Sequence, residues 1–381
     1  MKGESRYQAA GLVAEKVAEY FQVQLNAARQ NGEINLPTAP DTKNIEKIID
    51  VSFWASLLRE EGRSPKISLA LVPPESAMNP MLFEKKITLS SRALTKLSPG
   101  VERAGVHLGI WPDEKGELHI WGTTIHVPNL CLVTDVSEPG LIVIKHRRAH
   151  GFWKFANVAV LMGDQVKLVD GTNVEHVDCP NMLKALLGFN ESKHWSDYTN
   201  ILIQLAVSMR AHMHGGILLV VNKNNDAWQD SIIHPMKYKI IPAYLGISDL
   251  IKQDQENRMP ELWKEAIRRE IDSIAGLTAV DGATIINDNF ELLAFGTKIA
   301  RAEGKTHIKQ VSYIEPIRGN ETIRINPAQT GGTRHLSAAQ FVHEQHDALA
   351  LVASQDGHFT IFSWSETCDI VQAHRIDTLL L

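Results

Sequence analysis

At 381 residues, with 44% hydrophobic and 22% charged residues, the chain has the composition of an ordinary globular protein, long enough for one large core and room for a second. A formal net charge of −5 and a pI near 6.3 exclude a global basic field, so nucleic acid is not an expected partner. Cys131, Cys179 and Cys368 lie far apart without CxxC spacing, which argues against a disulfide frame or a zinc site, and the sequence shows neither a secretory pattern nor a run of about 20 apolar residues. The expectation is a cytoplasmic protein with no membrane partner.

Over residues 5–30, Leu12, Val13, Val17, Tyr20, Phe21 and Leu25 recur at helical spacing, with Asn31-Gly32 as the stop. Beyond Leu36-Pro37-Thr38-Ala39-Pro40, the residues Ile45, Ile48, Ile49, Phe53, Trp54, Leu57 and Leu58 predict a second helix, and both stripes read as core-packing faces. From Pro65 to Asp170 the pattern changes to short apolar runs between turn signals. Val106 to Trp111 and Leu118 to Trp121 flank Asp113-Glu114-Lys115-Gly116 as a hairpin, and Leu141 to Ile144 and Val158 to Met162 read as strands. Lys145, His146, Arg147, Arg148 and His150 run into Phe152, Trp153 and Lys154, an interleaving that can grip phosphates and stack bases. On an acidic chain, directly after a strand, the expectation is a solvated turn or an inter-domain contact.

A helix is predicted from Trp195 to His212 through Ile201, Leu202, Leu205 and Met209, ending at Gly215-Gly216. His212 and His214 read as loop histidines, and no metal-binding residue is expected. A further amphipathic helix over residues 261–276 runs through Leu262, Ile267, Ile271 and Ile274. The expected organisation is N-terminal helices over residues 1–64, a β-rich module over 65–190 and a C-terminal domain over 191–381. The fold class is α/β (α+β), the last domain having a central mixed sheet flanked by helices.

Three strings in that domain carry chemistry. Asp281-Gly282-Ala283 stands ahead of the strand pair Ala283 to Ile286 and Leu292 to Phe295, where a carboxylate can orient a ribose hydroxyl, hold a cation or act as a base. Gly331-Gly332-Thr333-Arg334-His335 leads into a helix carrying Ala338, Ala339, Phe341 and Val342, with Thr333 as the expected cap. A helix start presents unpaired N–H groups to an anion, and a guanidinium can grip two phosphate oxygens. Ser354-Gln355-Asp356-Gly357 closes the apolar run Leu349 to Ala353 and turns the chain into Phe359 to Phe362. Singly, Asp281 and Asp356-Gly357 also read as turn residues.

Order and spacing of the three strings over residues 195–365 resemble the diadenylate cyclase domain, which condenses two ATP into cyclic di-AMP. In that family an Asp-Gly-Ala, a Gly-Thr-Arg-His-Arg and a Ser-Glu-Glu-like motif surround the nucleotide. Here they fall on Asp281, Gly282 and Ala283, then Gly332 to Leu336, then Ser354, Gln355 and Asp356; the Gly215 to Val220 segment is similar to a family strand. Leu336 stands where the enzymes carry a second arginine and Gln355 where they carry glutamate, and Phe295-Gly296-Thr297-Lys298-Ile299 departs from the usual pattern. These departures resemble the sensor-like offshoot called DACNV.

The resemblance implies a sensor of an adenine nucleotide or a cyclic dinucleotide, with Asp281, Gly282, Ala283, Gly296, Gly332, Thr333, Arg334, His335, Ser354, Gln355 and Asp356 around the ligand. The alternative it implies is an active diadenylate cyclase using Mg or Mn, in which Asp281 helps activate a 3′-hydroxyl and two domains meet face to face as a homo-oligomer. A leucine cannot donate to phosphate and an amide is a poorer metal ligand than a carboxylate, so binding is expected to outlast turnover. A third reading is an interaction scaffold with an empty pocket.

Overall fold

The structure is a computed structural model that describes residues 6–103, 105–148, 155–170, 178, 180–187, 197–253 and 259–381. It divides into two compact units, Met1–Val169 with Leu381, and Asp170–Leu380.

The first unit opens with α1 (Gln8–Gln30), whose buried stripe is Val13, Val17, Phe21 and Leu25, and α2 (Thr42–Leu57), capped by Asp41, whose carboxylate accepts from the Asn44 amide at 2.8 Å. Leu12, expected in the first stripe, is 72% exposed, because it lies a full 100° around the helix from Val13; Leu57 and Leu58 also face water. Strands β1 (Ile67–Leu71), β2 (Met81–Thr88), β3 (His107–Pro112), β4 (Leu118–Thr124), β5 (Leu132–Glu138), β6 (Leu141–Arg147), β7 (Phe155–Met162) and β8 (Gln165–Leu168) form one mixed sheet, with helix α3 (Ser91–Leu97) after β2. Among the described residues the strand order is β2-β4-β3-β1-β5-β6-β7-β8. Alternate residues Ile67, Leu69 and Leu71 pack under α1 and α2, and Ala70, Val72, Trp121 and Val133 form a smaller cluster. Strand β6 runs on through the basic stretch instead of turning: His146 is buried beside the Tyr20 hydroxyl at 3.1 Å, and Lys145 pairs with Asp135. The expected solvated turn is therefore a strand end. His150, Phe152, Trp153 and Lys154 lie outside the described residues.

The second unit contains α4 (Asn181–Leu187), α5 (Asp197–Ala211), β9 (Gly216–Val221), β10 (Tyr238–Tyr244), α6 (Gly246–Lys252), α7 (Pro260–Leu277), β11 (Ala283–Asn287), β12 (Leu292–Thr297), β13 (Val311–Ile314), β14 (Ile323–Ile325), α8 (Thr333–Glu344), β15 (Leu349–Ala353), β16 (Phe359–Ser365) and β17 (Ile370–Arg375). The expected α+β class with a central mixed sheet and flanking helices is what forms, and β9 is apolar and buried at every position, with α8 packed on the face that carries Ile217, Leu219 and Val221. Leu262, expected on the packed stripe of α7, is 63% exposed, while Ile267, Ile271 and Ile274 are buried. Trp195 and Cys179 fall outside the described residues. No helix among the described residues is long and apolar enough to cross a membrane.

The sheet of the second unit reads β10-β12-β11-β9-β15-β16-β17-β13-β14, and its first seven places repeat those of the first unit. The pairing senses repeat too: β1 with β3 and β9 with β11 are parallel, and the other five neighbouring pairs are antiparallel in both. The registers set Ile217 opposite Val352 as Ser68 stands opposite Asp135, and Ala350 opposite Phe362 as Val133 stands opposite Lys145. The chain thus contains the same strand plan twice. They differ between the fourth and fifth strands of each plan: residues 125–131 suffice in the first unit, whereas residues 298–348 of the second add β13, β14 and α8.

Candidate functional site

The three strings come together at one edge of the second unit. Asp281-Gly282 enters β11, Gly331 and Gly332 enter α8, and Ser354 to Gly357 join β15 to β16. Gly282 has φ +118, and a Cβ there would stand 2.5 Å from the Gly296 carbonyl carbon, so the turn lies backbone to backbone on the end of β12. Gly215, at φ +70, opens β9; a Cβ on it would stand 3.2 Å from Arg334 Nη1 and 3.2 Å from the Ala353 carbonyl oxygen, so this glycine admits the arginine between β9 and the hairpin.

At the start of α8 the N-cap is Gly332 rather than Thr333, which is the first helical residue. There is no side-chain cap; the His335 amide bonds back to the Gly332 carbonyl at 3.0 Å, and those of Thr333 and Arg334 have no hydrogen-bond acceptor among the described residues. Arg334 is half-buried; its guanidinium makes no hydrogen bond or ion pair with another described residue, though its charge also helps lower the Asp281 carboxyl. It lies between two clefts: one of about 350 Å³ lined by Gly332 to His335 and Ala353 to Asp356, and one of about 160 Å³ lined by Asp281 to Ala283, Thr297 to Ile299 and Ser337. Thr333 and Arg334 belong to both.

His335 is 2% exposed, edge-on to Phe362, and burial pushes its pKa down to about 4, so the ring is neutral at pH 7 and its Nε2 has no protein partner. The positive charge of the cradle therefore comes from Arg334. Asp281 is exposed and paired to Lys298 at 2.5 Å; that hydrogen bond, then the ammonium charge, hold its carboxyl below the usual range. Ser354 donates to Asp356, which lowers that carboxyl as well, and its Oγ accepts from the His358 amide at 3.0 Å. Gln355 projects into solvent, Ala283 is buried, and Gly296, at φ +59, lies beneath Tyr238. Leu336 is 38% exposed on α8 and lines neither cleft.

Several neighbours carried no signal in the sequence. Arg210 of α5 donates to the Gly357 carbonyl at 2.9 Å and so fixes the hairpin, and Arg375 with Asp377 (2.8 Å) borders His358 behind it. Lys298 stands in a segment marked only as a departure from the family pattern. The register places Gly105 and Ile125 of the first unit where Asp281 and Lys298 stand in the second, and residues 125–131 supply no counterpart of α8. The hairpin does have a counterpart: Ser137-Glu138-Pro139-Gly140 occupies the places of Ser354-Gln355-Asp356-Gly357.

A Mg or Mn ion, as the cyclase resemblance implies, requires several oxygen ligands. Asp281 offers one carboxylate already bonded to an ammonium, Gln355 an amide, and among the described residues no group of three or more His, Cys, Asp or Glu gathers. The protein itself thus offers a divalent ion no cage, only Asp281, already shared with an ammonium, and Asp356, which holds Ser354, so the ligand's phosphates would have to supply the remaining oxygens.

No curated protein matches the chain. A solved structure described as that of a hypothetical membrane spanning protein from Bacillus cereus is similar at 15% identity over 50% of this chain and 67% of its own, with a TM-score of 0.28, too low to equate the folds. Residues 34–125 match the family described as "Probable sensor domain DACNV", so the match falls on the first unit while the motif set lies in the second.

Proposed function

We propose that the second unit binds an adenine nucleotide or cyclic dinucleotide through its phosphate, and that the chain acts as a sensor of that ligand. One observation carries this reading: Arg334, without a protein partner among the described residues, stands at an uncapped helix start between two clefts. An anion placed there gains the guanidinium, the free amides and the helix dipole together. The sensor-family match at residues 34–125 supports a signalling role for the chain. The base and ribose would lie toward Asp281 to Ala283 and Gly296 on one side, with Ser354 to Asp356 closing the other.

Calorimetry with ATP and with cyclic di-AMP tests the reading. Charge-assisted hydrogen bonds contribute about 1.5–3 kcal/mol, so R334A is expected to weaken binding about tenfold or more; unchanged affinity would sink the assignment. ATP with Mg or Mn is expected to yield no sustained cyclic di-AMP, since Leu336 and Gln355 replace the charged groups that the condensation uses. Multiple turnover abolished by D281N would establish the cyclase alternative instead.

A further inference from the structure

We infer that the nucleotide site works without a divalent cation, the Lys298 ammonium standing where a metal ion would bridge Asp281 to phosphate and itself contacting the ligand beside Arg334. The inference rests on the nucleotide reading above. Lys298 follows the last residue of β12, and its carbonyl accepts from the Ile233 amide at 2.9 Å. The next residue, Ile299, bridges to Ile232, and Ala300 donates to Ser231 at 2.9 Å. The backbone that carries the ammonium is therefore pinned on both sides of the lysine.

From this anchor Nζ reaches Asp281 Oδ2 at 2.5 Å, yet the ammonium side chain stays 55% exposed. An ammonium has three donors, and the carboxylate uses one. Two remain for a ligand in the cleft that Lys298 and Asp281 line with Arg334, Thr333 and Ser337. Two cations against one carboxylate leave that cleft positive, which suits an anion and opposes a second cation. A metal ion entering at Asp281 would have to share that carboxylate with the ammonium while sitting beside two positive charges.

Calorimetry of the full chain with ATP, first in EDTA and then in excess Mg²⁺, tests this. Wild type is expected to bind in EDTA with an affinity at least equal to that in Mg²⁺. K298A is expected to lose about tenfold or more in EDTA and to regain part of it when Mg²⁺ is added, because Asp281 is then free to take the ion; K298R should stay close to wild type. An exposed pair contributes little to folding, so the melting temperature of K298A should stay within about 2 °C of wild type. Wild-type binding that requires Mg²⁺, or K298A that binds normally in EDTA, would overturn the inference and leave the nucleotide reading standing. Failure of wild type to bind ATP or cyclic di-AMP under either condition would overturn the nucleotide reading, and this inference with it.

Discussion

At Gly282 the site is set by the absence of a side chain. A methyl group there meets the Gly296 backbone at 2.5 Å in a conformation with φ +118, so G282A is expected to cost about 2–4 kcal/mol or to displace Asp281 from the cleft. Urea denaturation gives the first quantity and ATP affinity the second. Leu336 behaves differently: exposed on α8 and outside both clefts, it should accept arginine with a melting temperature within about 2 °C of wild type and less than a threefold gain in ATP affinity. A large gain would mean that the ligand reaches past the two clefts to the exposed side of α8 at Leu336. Residues of this kind were only half legible in sequence. The glycines, Asp281 and Arg334 stood out because few residue types suit those positions. The partnership of Lys298 with Asp281 did not, since a lysine at a strand end is ordinarily a solvated charge and the two are brought together only by the β11–β12 register.

Helix α8 holds the arm of residues 298–348 to the sheet with a buried polar row. Glu344 accepts from Ser231 Oγ at 2.7 Å and from the Ala302 amide at 2.9 Å, and Gln340 accepts from the Ile308 amide at 2.8 Å while donating to Glu344. E344A removes the acceptor of three buried donors, so it should cost about 2–4 kcal/mol by chemical denaturation; E344Q, which keeps one acceptor oxygen, should cost less. Helices α1, α5 and α7 and the hairpins β3–β4 and β15–β16 were legible from apolar period and turn residues. Leu12 and Leu262 misled because a stripe read from sequence is wider than the face a sheet covers. Residue type alone favours Thr333 as the cap, whereas the cap is Gly332 and Thr333 is already the first helical residue.

Across the whole chain, two copies of one strand plan carry one cradle. The first unit has Gly105 and Ile125 in place of Asp281 and Lys298 and has no α8, so calorimetry should return one nucleotide per chain; two equal sites would contradict the assignment. This repetition escaped the sequence because strand order is set by pairing, and only Ser-Glu-Pro-Gly against Ser-Gln-Asp-Gly survives as a local trace. Both units also bury neutral histidines. Burial depresses His107, His146 and His335 to about 4 and His374 to about 3, all from an ordinary 6.5. Because the folded values are the lower ones, stability is fully present above pH 6.5 and falls as pH drops toward 4. Each such group removes about 1.4 kcal/mol per pH unit in that window. Thermal midpoints should be flat above pH 6.5 and decline below it; a midpoint constant down to pH 4.5 would show the rings to be solvated.

The repeated strand plan also bears on how the chain folds. In each unit the first strand must wait for a parallel partner some dozens of residues downstream, and strands of the other copy offer the same pairing senses in the meantime. Where the second unit has Ile217, Val352 and Phe362, the first has Ser68, Asp135 and Lys145. Ser68 donates to Asp135 at 2.5 Å, and Lys145 pairs with the same carboxylate. Exchange of the strand carrying Asp135 or Lys145 between copies would press a charge against apolar neighbours with no partner, at a cost of several kcal/mol, and exchange of the Ser68 strand would leave a hydroxyl there. The polar row thus disfavours exchange between the two copies, and the triple exchange S68I, D135V and K145F should lower the yield of correctly refolded protein even where it leaves the finished sheet stable.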